Sequence, residues 1–127
     1  MLLNEISGAI VDAAVTIHRE IGPGLLESVY EVVLAHELKS RNLSVDRQVS
    51  VPIEYRGLRF EEGYRLDLLV EDTIIVEIKS VDKVTDVHKK QLLTYLRLKN
   101  KQLGLLLNFN VNLMKHGIVR IANGVEE

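Results

Sequence analysis

Apolar residues recur at spacings of three and four between positions 3 and 21: Ile6, Ile10, Ala13, Ile17 and Ile21. That is the period of one helical face. Gly22-Pro23-Gly24 interrupts it. A second stripe, Leu26, Tyr30, Val33, Leu34 and Leu38, runs out at Arg41 and Asn42. The first third is therefore predicted as two helices joined by a tight corner. The period then changes to two. Val49, Val51, Ile53 and Tyr55 alternate with Ser50, Pro52 and Glu54, a strand with one buried face. Pro52 has no N–H to give a ladder and places this strand at a sheet edge. Arg56-Gly57 makes a two-residue turn, and the return strand runs from Leu58 through Tyr64 to Val70 with a bulge at Gly63. Glu71-Asp72 turns again. Residues 73–79, Thr-Ile-Ile-Val-Glu-Ile-Lys, are apolar enough for a central strand. Helical period returns over 86–99 with Val87, Leu92, Tyr95 and Leu96, capped by Thr85 or Asp86. Strands at 104–109 and 117–122 complete the order α-α-β-β-β-α-β-β, an α/β chain with helices covering a mixed central sheet.

Composition narrows the function classes. The 127 residues are 46% hydrophobic and 27% charged, the balance of one globular domain spanning 1–127. With no cysteine, disulfide scaffolds, thiolate zinc sites and cysteine nucleophiles are excluded. His18, His36, His88 and His116 are scattered, which leaves a histidine metal site without support. A net charge of −2 speaks against binding by bulk positive charge, so contact with nucleic acid needs a local patch. No apolar run approaches the roughly 18 residues of a membrane span. The start, Met1-Leu2-Leu3-Asn4-Glu5, lacks the pattern of a signal peptide, so a cytoplasmic protein is expected.

Candidate chemistry gathers on the strands. Glu77 and Lys79 are two apart and point to one sheet face. They end an apolar run, where charge is costly to bury without a partner. Asp67 interrupts the preceding strand between Leu66 and Leu68, and a hairpin through Glu71-Asp72 brings it near Glu77. Two carboxylates beside one ammonium suit a hard divalent cation that keeps several waters. A strand-end ion pair of Lys79 with either acid has the same signature. Gln91 lies on the apolar stripe between Val87 and Tyr95, where its amide needs partners. Glu27 follows Gly24 by three residues, the place of a capping-box glutamate or of a third carboxylate at the site. His18 and Tyr30 read as a boundary and a core residue. Arg56, Arg59, Arg65, Lys89, Lys90 and Arg97 form a solvated face that could also track phosphates. With no tryptophan and two phenylalanines, base stacking is not expected.

The stretch Ile17-His18-Arg19-Glu20-Ile21-Gly22-Pro23-Gly24-Leu25-Leu26-Glu27-Ser28-Val29-Tyr30-Glu31 resembles the signature of the GxxExxY protein family, with Gly24, Glu27 and Tyr30 at its named positions. That family belongs to the PD-(D/E)XK nuclease superfamily. Tyr64-Arg65-Leu66-Asp67-Leu68-Leu69-Val70 resembles its aspartate-bearing strand, though Leu66 stands where the superfamily name has proline. Glu77-Ile78-Lys79 resembles its E-x-K, and Gln91-Leu92-Leu93-Thr94-Tyr95 the QxxxY of the RecB-like and lambda-exonuclease-like branch. The resemblance implies a restriction-endonuclease-like αβββαβ core with an extra N-terminal helix and a short C-terminal strand. It implies a Mg²⁺- or Mn²⁺-dependent nuclease acting on nucleic acid, with DNA the expected substrate. Asp67, Glu77 and Glu27 would be metal ligands, Lys79 the catalytic lysine, and Gln91 and Tyr95 active-site supports. The alternative is a nuclease-fold module that binds nucleic acid or a protein partner with weak or no turnover. The acidic charge and small size suggest help from a homodimer or a partner protein.

Overall fold

The computed structural model describes residues 1–124. The last three residues of the expected domain, 125–127, lie outside the described residues. Two helices open the chain, α1 (Leu3–Ile21) and α2 (Glu27–Ser40). Strands β1 (Val45–Ser50), β2 (Ile53–Tyr55), β3 (Leu58–Phe60), β4 (Arg65–Val70) and β5 (Ile74–Lys79) follow, then α3 (Asp86–Lys99), β6 (Leu103–Asn108) and β7 (Ile118–Ala122). Five strands form a sheet in the order β1-β4-β5-β6-β7, and β2-β3 form a small separate hairpin. Only β5 and β6 are parallel, linked by the α3 crossover, so the sheet is mixed, consistent with a restriction-endonuclease-like fold.

Alternation on the strands divides the core in two. Leu68, Val76, Ile78, Leu105 and Leu107 face Ile10, Ile17, Leu34 and Leu38 of α1 and α2. Leu69, Ile75 and Leu106 face Leu92, Tyr95 and Leu96 of α3. Helix α3 sits close because β6 offers it a glycine: a Cβ on Gly104 would lie 2.8 Å from a Leu92 methyl. Thr85 caps α3 by accepting the His88 N–H. Among the described residues no helix is long and apolar enough to cross a membrane.

The hairpin after α2 departs from expectation. The strand begins at Val45, four residues earlier than the alternation shows, and breaks at Val51-Pro52. The return strand likewise splits into β3 and β4 around residues 61–64, with Gly63 at φ +106°. Val51 N–H still donates to the Tyr64 carbonyl at 3.0 Å, so the two halves stay joined. Pro52 predicts an edge, and β1 is indeed an edge strand, paired only with β4. Arg56 and Gly57 both take positive φ, the turn that a twisted two-residue hairpin needs. Ile21, Leu26 and Val87, assigned to buried stripes by spacing, are instead exposed at helix ends. His18 is buried, its Nε2 2.7 Å from the Val111 carbonyl.

Candidate active site

Strands β4 and β5 keep a regular antiparallel register from Val70–Ile74 to Leu68–Val76. One step further, Asp67 would stand opposite Glu77, and there the backbone pairing ends. The side chains replace it. Asp67 N–H donates to Glu77 Oε2 and Ile78 N–H donates to Asp67 Oδ2, both at 2.8 Å. Pairing of β1 with β4 skips the same level, passing from Arg47–Leu68 to Val49–Leu66 around Gln48 at φ +52°. Three strands thus open at one place, and the carboxylates fill the opening.

Glu77 is buried and Asp67 half-buried. Their other oxygens, Glu77 Oε1 and Asp67 Oδ1, accept no hydrogen bond from a described residue. Since no buried side-chain polar atom among the described residues lacks a partner, these two oxygens reach solvent. Burial is the largest cause of a raised pKa at both acids, and at Glu77 the Asp67 charge comes next, pushing that carboxyl up to about 8. Lys79 and the two backbone N–H donors oppose the rise. Lys79, half-buried at the end of β5, shares the Glu77 face. Its carbonyl accepts the Phe109 N–H at 2.9 Å, and the Asn108 side chain bonds both the N–H and the carbonyl of Val81. The backbone around Lys79 is thereby fixed.

The Gly-Pro-Gly corner lies against the same strand end. Gly24 takes φ +96°, a left-handed conformation that other residues adopt only with strain. Tyr30 is fully buried and stacks on Phe109, with centroids 4.3 Å apart. Its hydroxyl donates to the Gly22 carbonyl at 2.6 Å and accepts the Leu25 N–H at 3.2 Å. Glu27 is exposed and opens α2 as its first residue, so it is no capping-box glutamate. Its Oε2 accepts the Ser80 N–H at 3.0 Å, next to Lys79. From the other face, Tyr95 of α3 is buried, and burial followed by the charge of Glu77 raises its phenol to about 12. Gln91, half-buried one turn away, lines a cleft together with Tyr95.

Two further neighbours carry only weak sequence signals. Glu31 of α2 is buried and binds Arg47 Nη2 at 2.9 Å and Gln48 Nε2 at 2.5 Å, and its charge reaches both Asp67 and Glu77. Only its place one turn beyond Glu27 hints at this. Asn108 ends a wholly apolar strand, a polar position that could have marked it. The basic residues are less available than their number suggests. Arg59 pairs with Glu54 at 3.8 Å and Glu61 at 3.5 Å, and Arg56 lies over the Tyr55 ring.

The donor set fits a hard divalent cation. Two adjoining carboxylates, each with one oxygen tied to backbone and one open to water, are what Mg²⁺ or Mn²⁺ takes when it retains waters. Among the described residues no three acidic or histidine side chains form a closed metal cage. Glu27 therefore stands outside the Asp67–Glu77 pair. An open surface hollow of about 480 Å³ between α1 and β7 includes none of these residues. Compared with known proteins, residues 4–121 match the family model of the PD-(D/E)XK nuclease superfamily. No curated protein and no solved structure matches the chain.

Proposed function

The chain belongs to the PD-(D/E)XK nuclease superfamily, and on that premise we propose that it is a Mg²⁺- or Mn²⁺-dependent nuclease that hydrolyses phosphodiester bonds, with DNA as substrate. The observation that carries this reading is the buried Asp67–Glu77 pair, each acid with one open oxygen, beside Lys79. A purely structural strand-end ion pair would set Lys79 against one of the acids, and among the described residues Lys79 is within ion-pair distance of neither. A divalent cation held by Asp67 and Glu77 would polarise the phosphodiester and lower the pKa of a water molecule. Lys79 offsets the negative charge that grows on the phosphate oxygens during attack. The Tyr95 phenol stays protonated at neutral pH and serves as a donor, while Gln91 orients substrate or water. Glu27 acts as an outer carboxylate and ties the corner to the strand end through Ser80. Gly24 and Tyr30 hold that corner in shape, the role we assign to the GxxExxY signature.

The test is incubation of the protein with end-labelled single- and double-stranded DNA and RNA, in Mg²⁺, in Mn²⁺ and in chelator. We expect cleavage with either cation, none in chelator, and loss of cleavage in Lys79→Ala. Absence of cleavage on every strand, with no Mn²⁺ uptake by the wild type, would overturn the reading in favour of a binding module.

A further inference from the structure

The scarcity of aromatic residues speaks against base stacking, but their placement speaks for it. Of the four tyrosines, Tyr30 is locked in the core, while Tyr55 lies on β2, Tyr64 in the break between β3 and β4, and Tyr95 on α3. Tyr64, about half exposed, meets Tyr95 edge to face at 6.1 Å. Its backbone is held by the Val51 N–H bond to its carbonyl, just after the turn at Gly63. A cleft of about 320 Å³ opens between these elements, within the range of small-ligand pockets. Its walls are Ile53, Tyr64, Gln91, Thr94, Tyr95 and Leu98.

We propose that this cleft holds an unpaired nucleobase of the substrate strand next to the scissile phosphate, so that the protein acts on single-stranded nucleic acid. The proposal rests on the nuclease reading above, and three features select the occupant. No carboxylate or ammonium lines the cleft, so the group it takes is neutral. Aromatic and aliphatic walls favour a flat group that stacks. The Gln91 amide makes no hydrogen bond with any described residue, leaving a donor and an acceptor for the edge of a base, whatever its identity. Tyr95 connects cleft and site, since it lines the former and feels the charges of Glu77 and Asp67. Tyr64 stands three residues before Asp67 on the same chain segment. A base within a duplex stack cannot enter such a cleft unless it is extruded. Beyond it the hairpin offers a second aromatic surface, the exposed Tyr55 with Arg56 5.3 Å from its ring centroid.

The experiment measures anisotropy of labelled strands of about 15 nucleotides, the upper end of single-strand site sizes. The strands are single-stranded DNA and RNA, their duplexes, and an abasic strand of equal length, all at low salt in chelator. Wild type should bind a single strand at least tenfold more tightly than its duplex. Tyr64→Ala should weaken single-strand binding on the order of tenfold, the worth of one stacked base. Tyr64→Phe should retain it. Thr94→Phe, at an exposed helix position, should fill the cleft and weaken binding like Tyr64→Ala. The abasic strand should bind weakly and equally to wild type and Tyr64→Ala. Equal binding of duplex and single strand, or no effect of either blocking variant, overturns the cleft while cation-dependent cleavage leaves the nuclease reading standing. Single-strand preference without any cleavage overturns the nuclease reading alone. No binding to any strand, together with no cleavage in Mg²⁺ or Mn²⁺, overturns both.

Discussion

Glu31 and Glu77 are buried to nearly the same depth, 6% and 5% exposed, yet their surroundings differ in kind. Around Glu31, Arg47 supplies two N–H donors and Gln48 a third, so its charge is matched. Around Glu77 the one hydrogen bond comes from the Asp67 backbone, and the adjoining side chain is another carboxylate. Lys79 is not within ion-pair distance of any described acid. A matched buried charge settles the packing of α2 on β1. An unmatched one keeps a cost in the metal-free protein that a cation can relieve, and clusters of this kind mark functional sites.

The largest expected effect tests the unmatched region. Lys79→Ala removes charge stabilisation needed mainly in the transition state, and should lower the cleavage rate on the order of 10²–10³-fold. Asp67→Asn should abolish cation uptake, because the amide keeps the shape but loses the charge. Neither should lower the melting temperature. Cleavage measured in Mn²⁺, beside thermal denaturation measured in chelator so that bound cation does not enter the comparison, checks this. A fall in both together would place these residues with Glu31, as packing.

Next in size is the pH dependence. A folded Glu77 near 8 against about 4.5 in the unfolded chain means that the folded state binds the extra proton between those values. Stability is therefore fully present below about 4.5 and lost as pH rises through 8, by a few kcal/mol at ~1.4 kcal/mol per unit. Asp67, raised for the same reason, acts with the same sign. Urea denaturation of the cation-free protein should show this decline, Glu77→Gln should remove most of it and leave the part due to Asp67, and Mn²⁺ should offset it at pH 8.

The matched region should respond with the opposite sign. Glu31→Gln leaves Arg47 without its partner, and Arg47→Ala leaves a buried carboxylate with Gln48 alone. Because Arg47 is 42% exposed, water screens part of the loss, and each change should cost about 1–2 kcal/mol. At pH 8 in the absence of cation, Glu77→Gln should raise the urea midpoint where Glu31→Gln lowers it. If both moved it the same way, the contrast between the two glutamates would fail.

Much of this site is legible in sequence because charge interrupts apolar runs. Asp67 between two leucines, and Glu77 after Ile-Ile-Val, violate a buried pattern strongly enough to be noticed. Glu31 is invisible by the same logic. It sits among helical positions where glutamate is ordinary, and Arg47, which explains it, comes from a strand sixteen residues later. The start of β1 is hidden too, because Asp46, Arg47 and Gln48 on an edge strand show no alternation. Spacing puts Val87 on the apolar stripe of α3, but burial on that helix begins only at Leu92, so position along the helix and not period decides its exposure. The tyrosine cleft escapes composition altogether. Its aromatic rings come from separate parts of the chain, Tyr64 in the break at 61–64 and Tyr95 on α3, and meet only in the fold.

The smallest expected effect concerns a buried group that is matched, like Glu31, yet serves the unmatched site at second hand. The Tyr30 hydroxyl satisfies the Gly22 carbonyl and the Leu25 N–H, two backbone groups of the corner that delivers Glu27 to Ser80. Tyr30→Phe keeps the ring stacked on Phe109 and deletes only the hydroxyl. Because the corner is exposed at Leu25, water can replace part of what is lost, and the stability cost should be about 1 kcal/mol. The corner would loosen without dissolving, so cleavage should fall a few-fold while Mn²⁺ uptake by Asp67 and Glu77 stays unchanged. Urea denaturation, cation titration and initial rates on one preparation separate the cases. Unchanged rates with the same stability loss would make the corner a packing device alone and return Tyr30 to the company of Glu31. A loss of Mn²⁺ uptake would instead bring Glu27 in from the outer position and join it to the carboxylate pair.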